Sequence, residues 1–92
     1  MEDAYKQLQF VVGKIREIRI KKSMSQLELS VNSNLSQSFL ASVEKGKKQP
    51  SVLTLLRIAS ALNVSPKVFF PEHETTSKDE TKDLIINLVN SL

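Results

Sequence analysis

The side chains that could do chemistry in this sequence are mainly lysines and arginines, and they are concentrated in its first 70 residues. This part holds 11 of the 13 Lys and Arg residues and 5 of the 10 acids, a net charge of +6. The remaining residues hold 2 bases and 5 acids, a net charge of −3. A basic body indicates a polyanionic partner, and an acidic tail indicates a separate role. A solvated surface with a chance asymmetry of charge is the alternative.

Residue types that support catalysis or metal binding are scarce. His73 is the only histidine and there is no cysteine, so we expect no metal site. Asp79, Glu80 and Asp83 lie close together, but on a tail helix we expect them to form a solvated face. The sequence has no nucleophile–base pair, phosphate-binding loop or dinucleotide fingerprint. We therefore predict that the protein is not an enzyme and uses no cofactor.

The length and composition predict one small domain. With 92 residues, of which 40% are hydrophobic and 25% charged, the chain can bury one modest core. The absence of cysteine fits a reducing cytoplasm. No apolar run approaches the ~20 residues of a bilayer span, and no secretory signal is visible. We expect a cytoplasmic protein with no membrane contact, too small for a domain that senses a small-molecule ligand.

Apolar residues recur at intervals of three to four, and no segment alternates like a strand, so we predict an all-α fold. The first helix runs from about residue 3 to 22, with Asp3 as its N-cap and Gly13 as a weak point. Its apolar face is formed by Tyr5, Leu8, Val11, Val12, Ile15 and Ile18.

Serines mark where the next two helices begin. Ser25, with Glu28 completing a capping box, begins a short second helix that ends near Asn32. Ser36 begins the third helix, and Gly46 follows it in the usual place for a left-handed C-cap.

Two further helices complete the predicted domain. The fourth begins after Ser51 and is apolar on most sides, which is typical of a central helix. A short fifth helix begins at Ser65 and ends before Pro71. The predicted core positions of helices 2 to 4 include Leu27, Leu29, Leu40, Val43, Leu56 and Ile58.

The composition changes after Pro71. Residues 72–78 are polar and predict a linker, and Ser77 begins a last helix. We therefore divide the chain into a domain of residues 1–71 and an extension of residues 72–92. The apolar stripe of the last helix is Leu84, Ile85, Leu88, Val89 and Leu92.

Residues 26–45 carry the most informative pattern, two short helices joined by a tight turn. Neither helix is long enough to be stable alone, so they make sense as a packed helix-turn-helix pair. Residues 12–70 resemble the Cro/repressor-type (XRE family) domain, which implies a five-helix, lambda-repressor-like fold, here with a C-terminal extra helix. The segments that carry the resemblance are Ile15–Arg19, Met24–Gln26, Leu35–Leu40, Val43–Lys47, Pro50–Ser51, Leu55–Ala59 and Ala61–Ser65.

The resemblance implies that residues 36–45 form a recognition helix in the major groove of DNA. Its base-reading positions would be Gln37, Ser38, Ala41 and Ser42. The Gln37 amide can bond N6 and N7 of adenine, and Ala41 can pack on a thymine methyl group. The serines can donate or accept at several bases.

The family also implies contacts to the DNA backbone. Gln26 matches a position that binds a phosphate and buttresses the first glutamine of the recognition helix. Arg19 and Glu44 match a structural ion pair between helices 1 and 3. The full set of expected phosphate contacts is Gln26, Ser36, Lys45, Lys47, Lys48 and Ser51.

Four positions depart from the family pattern. Ser30 stands where a small apolar residue is usual, and Ser23 and Asn34 stand where glycine is common. Asn34 can still adopt a positive φ angle, so we expect the turn to form. Lys45 replaces a common asparagine and adds a charge that can reach phosphate.

Three side chains have two interpretations each. Phe39 either packs on the edge of helix 2 or touches a sugar or a thymine methyl group. Lys21 and Lys22 either form a solvated helix end or contact DNA.

Proteins of this family act as twofold dimers on palindromic operators. We expect a homodimer whose surface includes Val68, Phe69 and Phe70 of helix 5 and the tail residues Leu84, Ile85, Leu88 and Leu92. The tail helix has three possible partners, namely its own domain, a second subunit or another protein.

The resemblance implies a sequence-specific DNA-binding regulator, a repressor or autoregulator. Phage or mobile-element repressors and restriction–modification controllers have this compact size. The alternative is a protein-interaction module or antitoxin-type component that binds another protein through the helical scaffold and the tail helix. Loss of affinity with salt separates the two, because only DNA binding depends on several phosphates.

Overall fold

The structure, a computed structural model, describes residues 2–70. It contains four α-helices, α1 (Glu2–Lys21), α2 (Gln26–Asn32), α3 (Gln37–Glu44) and α4 (Val52–Leu62), followed by a 3₁₀ helix (Pro66–Phe69). No strand occurs between residues 2 and 70, which confirms the all-α prediction for that part. The predicted C-terminal helix and the linker before it lie outside the described residues.

The predicted short fifth helix is present and is a 3₁₀ helix. Its amides bond three residues back, from Val68 to Ser65 at 3.1 Å and from Phe70 to Lys67 at 3.0 Å. Pro71 disfavours an α conformation at Phe70, so too few residues are available for a full α-helical ladder.

Serine hydroxyls cap the N-termini of the three helices that follow α1, as predicted. Each serine has extended backbone angles and accepts a hydrogen bond from the amide three residues on, at 2.9 to 3.1 Å. The capping residues are Ser25, Ser36 and Ser51. The predicted cap Asp3 is wrong, because α1 already begins at Glu2.

All four α-helices of the described domain end in the same way. A residue with φ between 56° and 77° follows each helix, and two backbone hydrogen bonds close the last turn in a Schellman motif. After α2, for example, the Leu35 amide bonds Ser30 O at 2.9 Å and the Asn34 amide bonds Val31 O at 3.1 Å. The left-handed residues are Ser23, Asn34, Gly46 and Asn63, which confirms the predictions for Asn34 and Gly46.

The core lies where α1, α4 and the 3₁₀ helix meet the α2–α3 pair. Ile15, Leu29 and Ile58 are among its fully enclosed side chains. Two serines are buried with it and satisfied locally, since the Ser30 hydroxyl donates to Leu27 O at 2.7 Å and the Ser33 hydroxyl to Leu29 O at 2.6 Å. The buried apolar residues are Val11, Val12, Ile15, Leu29, Leu40, Val43, Leu55, Ile58, Ala59, Leu62 and Phe69.

Three positions predicted on apolar faces, Tyr5, Leu27 and Leu56, are exposed or half-buried and do not pack against the core. Leu27 and Leu56 each lie two residues from a core residue, and two residues on an α-helix point about 200° apart. Leu29 and Ile58 therefore face the core while their neighbours face outward. Tyr5 is 64% exposed, like most other side chains in the first turns of α1.

The predicted dimer surface on the 3₁₀ helix also needs correction. Phe69 is fully buried in the core of its own subunit, so it has no surface to offer a second subunit. Val68 and Phe70 are half-buried and pack against the same core. Their remaining exposed surface is the part of this helix that a partner can reach.

The two glycines predict opposite responses to alanine. Gly13 lies inside α1, and a Cβ atom there would meet nothing within 4 Å, so Gly13→Ala should raise the free energy of unfolding by about 0.5–1 kcal/mol. Gly46 has φ +77°, so Gly46→Ala should lower it by about 1 kcal/mol. Urea denaturation followed by circular dichroism measures both. Equal effects of the two substitutions would contradict the assignment of their backbone conformations.

Candidate nucleic-acid interface

The candidate site is built on α2, α3 and the turn between them. Leu29 on α2 and Leu40 and Val43 on α3 are fully buried, and they fix the inner faces of both short helices on the domain. Asn34 turns the chain with φ 58°, and the Ser36 cap then starts α3. These local interactions leave the outer face of α3 free.

The four predicted base-reading residues lie together on this outer face. Gln37 and Ser38 are exposed, and Ala41 and Ser42 are half-buried one turn later. The pairs 37/41 and 38/42 are four residues apart, so they form two adjacent rows along one side of the helix. Phe39 is half-buried and packs against the core, in agreement with the packing interpretation.

An ion pair fixes α3 to α1. The Arg19 guanidinium donates from Nε to Glu44 Oε2 and from Nη2 to Glu44 Oε1, both at 2.8 Å, and from Nη1 to Met24 O at 3.0 Å. The side chains are only 12% and 4% exposed. The hydrogen bond to Glu44 raises the pKa of the Arg19 guanidinium. The predicted structural pair is present.

Gln26 joins this pair. Its Nε2 donates to Glu44 Oε1 at 3.4 Å, and the side chain is half-buried. The expected support of Gln37 is absent, because no hydrogen bond joins these two glutamines in the part of the chain that the structure describes. Its partner is therefore the ion pair at the end of α3.

Of the remaining expected phosphate contacts, four lie between α3 and α4, and Ser36 lies at the start of α3. Lys45, Lys47 and Lys48 are exposed, and the amides of the last two bond Ser42 O at 2.8 and 3.2 Å, which fixes the loop backbone. None of these lysines forms an ion pair with another residue in the 2–70 range. The hydroxyls of Ser36 and Ser51 accept the capping amides of their helices. Ser51 also donates to Thr54 Oγ1 at 3.0 Å.

Lys21 and Lys22 lie at the C-terminal end of α1 and are exposed. Lys21 pairs with Glu17 at 3.4 Å, and Lys14 pairs with the same carboxylate at 3.5 Å. The hydrogen bond from Lys21, with the charges of Lys14 and Lys21, lowers the pKa of Glu17. This pairing favours the solvated-end interpretation for Lys21.

Sequence analysis missed one basic residue, Arg16. It lines a groove with Arg19, Gln26, Glu44 and Lys45. Its spacing of three residues from Arg19 was the available signal, because residues three apart share one side of a helix.

Comparison with known proteins identifies the class to which this site belongs. Residues 15–69 match the family model described as helix-turn-helix, and the chain belongs to this helix-turn-helix family. The resemblance inferred from the sequence is thereby confirmed. Among the residues described, no helix is long and apolar enough to span a membrane.

Individual relatives are regulators. The chain is 36% identical over 67 residues to the immunity repressor protein of Bacillus phage phi105, an alignment that covers 73% of this chain. The chain spans only 46% of that repressor's length.

Two solved structures of restriction–modification controller proteins are similar to this chain. The restriction–modification controller protein C.AhdI from Aeromonas hydrophila is similar with a TM-score of 0.66 and 33% identity, over 68% of this chain and 96% of that one. The controller C.Esp1396I, solved as a tetramer with its natural 35 base-pair operator, has a TM-score of 0.66 and 28% identity. That alignment covers 90% of this chain and 95% of the controller.

Removing one partner of the ion pair should destabilise the domain much more than replacing both partners. Arg19→Met should lower the free energy of unfolding by about 3 kcal/mol, because it leaves the Glu44 carboxylate buried without its partner. The double variant Arg19→Met/Glu44→Leu should recover most of this loss. Glu17→Gln removes an exposed carboxylate from α1 and serves as the control, with little expected change. If Arg19→Met is as stable as the wild type in urea denaturation, the Arg19–Glu44 pair does not stabilise the domain.

Proposed function

We propose that this protein is a transcriptional regulator, a repressor or autoregulator, that binds double-stranded DNA in a sequence-specific manner. The observation that carries the proposal is the outer face of α3, where Gln37, Ser38, Ala41 and Ser42 lie together and accessible on a helix whose inner face is fixed. Membership of the helix-turn-helix family supports it. So does the likeness to a controller solved on its operator.

Base reading is the task of the outer face of α3. The major groove is wide enough for an α-helix and presents a distinct pattern of donors and acceptors for each base pair. The Gln37 amide suits N6 and N7 of adenine, Ser38 and Ser42 suit several bases, and Ala41 suits a thymine methyl group. The cap at Ser36 places Gln37 in the first turn, the part of a recognition helix that enters the groove most deeply.

Phosphate contacts position α3 in the groove. Lys45, Lys47 and Lys48 follow one another around the end of α3, where the exposed charges can reach the backbone on one side of the groove. Gln26 and the hydroxyls of Ser36 and Ser51 add neutral contacts. Such contacts supply affinity and register but no sequence information.

The protein acts as a homodimer on a palindromic operator. One module of this size makes few contacts, and a twofold pair with half-sites about 34 Å apart doubles them. The exposed parts of Val68 and Phe70, with Leu84, Ile85, Leu88 and Leu92 of the 72–92 extension, form the dimer surface. The domain of residues 1–71 therefore binds DNA, and the extension of residues 72–92 joins the two copies of the dimer.

The protein acts in the cytoplasm, where it has access to DNA, and it is a regulator without catalytic activity, cofactor or small-molecule effector. The family is a class of DNA-binding regulators and not of enzymes, which supports this assignment.

Selection from random duplex DNA tests the proposal. We expect a palindromic motif bound by a dimer, with affinity that falls by about 10³-fold or more between roughly 50 and 200 mM salt. Sizing the complex by light scattering at both concentrations measures stoichiometry. A folded dimer that enriches no motif would overturn the proposal and favour a protein-interaction module.

Substitutions separate base reading from phosphate binding. Gln37→Ala should cost about 1–3 kcal/mol at one base pair and relax the choice there, since the amide contacts are lost. Lys47→Ala should weaken all sequences alike and reduce the salt slope by about 1 for each lysine removed. Repeating the selection and titration with each variant measures both effects.

Two exposed residues provide matched controls. Gln9→Ala lies on α1 and Lys67→Ala on the 3₁₀ helix, and both should retain wild-type specificity and salt slope. An unchanged motif for Gln37→Ala would disprove its role as a base reader.

A further inference from the structure

A groove of about 510 Å³ lies beside the C-terminal end of α3. Its lining comes from three helices and the residue after α3, with Arg16 and Arg19 from α1, Gln26 from α2, Glu44 from α3 and Lys45 after it. Three of these five side chains are cationic and one is anionic. The groove therefore carries an excess of positive charge.

Arg19 and Glu44 neutralise each other. Their two hydrogen bonds of 2.8 Å use both carboxylate oxygens, and the third guanidinium nitrogen donates to Met24 O. All three Arg19 nitrogens therefore donate to protein oxygens, and only the second N–H on each Nη remains. Because Glu44 neutralises its charge, the excess positive charge of the groove lies on the neighbouring side chains.

Arg16 and Lys45 carry the charge that remains. Both are exposed, and neither forms an ion pair with any residue from 2 to 70. Gln26 contributes a third donor group, and its hydrogen bond of 3.4 Å to Glu44 is long enough to be exchanged easily. An anion with several acceptor oxygens would satisfy all three side chains.

We propose that Arg16, together with Lys45 and Gln26, binds a backbone phosphate of the DNA that α3 reads, an inference that rests on the proposed function. A guanidinium group matches phosphate oxygens with two parallel hydrogen bonds, which lysine cannot do. Lys45 directly follows α3, so DNA that holds α3 in its groove brings its backbone to this end of the helix.

The proposed contact ties three helices to one phosphate. Arg16 lies one turn before Arg19 on α1, and Arg19 holds α3 through Glu44. A phosphate bound between Arg16 and Lys45 therefore also fixes the orientation of α3 relative to the body. Arg16 acts as a positioning residue that adds affinity without choosing bases.

Arg16→Gln tests this role on the operator recovered by selection. The variant should bind roughly tenfold more weakly for each half-site, because each half-site loses a charge-assisted contact. Its salt slope should fall by about 1 for each arginine removed, and its selected motif should be unchanged. Arg16→Lys should retain the salt slope but regain only part of the affinity, since it keeps the charge without the planar fork.

A scan of single neutral methylphosphonate linkages through the operator locates the contact. One phosphate in each half-site should weaken the wild type when neutralised and have little further effect on Arg16→Gln, because that contact is already gone. Arg57→Gln is the control, since Arg57 is exposed on α4 and does not line the groove. Arg57→Gln should lose affinity when that same phosphate is neutralised, as the wild type does.

The outcomes distinguish this inference from the function on which it rests. If the wild type binds its motif and Arg16→Gln keeps wild-type affinity, salt slope and methylphosphonate pattern, the phosphate site is wrong but the function stands. If the folded wild type selects no DNA, both fail. Thermal unfolding of Arg16→Gln should match the wild type, because the side chain has no partner within the described domain.

Discussion

The Arg19–Glu44 ion pair is the interaction on which the geometry of this domain depends. It connects the long first helix to the end of α3 and, through Met24 O, to the turn that leads into α2. Removing an ion pair from water costs free energy, and the attraction between the two charges offsets this cost only when the geometry is good. Arg19 and Glu44 meet this condition, because they are nearly buried and lie 2.8 Å apart. Its directional bonds set the position of α3 more narrowly than apolar packing alone would.

The rest of the small domain consists of helices too short to be stable in isolation. In helices of 7 and 8 residues, most backbone N–H and C=O groups lie in the first or last turn, where they have no partner within the helix. Hydrogen bonds at the two ends therefore decide whether such helices form. At the start of each helix a serine hydroxyl accepts one of the first amides, and at the end a Schellman motif pairs two of the last carbonyls. The buried side of α2 contains one polar residue, Ser30, whose hydroxyl donates to Leu27 O, and the buried residues of α3 are the apolar Leu40 and Val43.

This arrangement separates side chains that hold the structure from those left available to a ligand. All three nitrogens of Arg19 donate to protein oxygens, whereas Arg16, one turn away, is exposed and unpaired within the described domain. On α3, Leu40 and Val43 anchor the helix while Gln37 and Ser38 remain accessible. A rigid helix with free donors on one side is suited to reading a groove, because binding orders few further groups.

The sequence by itself determined the features that depend on neighbours along the chain. The serine caps, the left-handed residues Asn34 and Gly46 and the helical pair of residues 26–45 follow from local backbone chemistry, and the family pattern added the Arg19–Glu44 pair. Only the tertiary structure decided which apolar residues are buried. Leu27 and Leu56 are as apolar as Leu29 and Ile58, but the core lies on one side of each helix and excludes them. Phe69 is enclosed by its own subunit, and Gln26 meets Glu44, because burial and partners depend on how distant segments pack together.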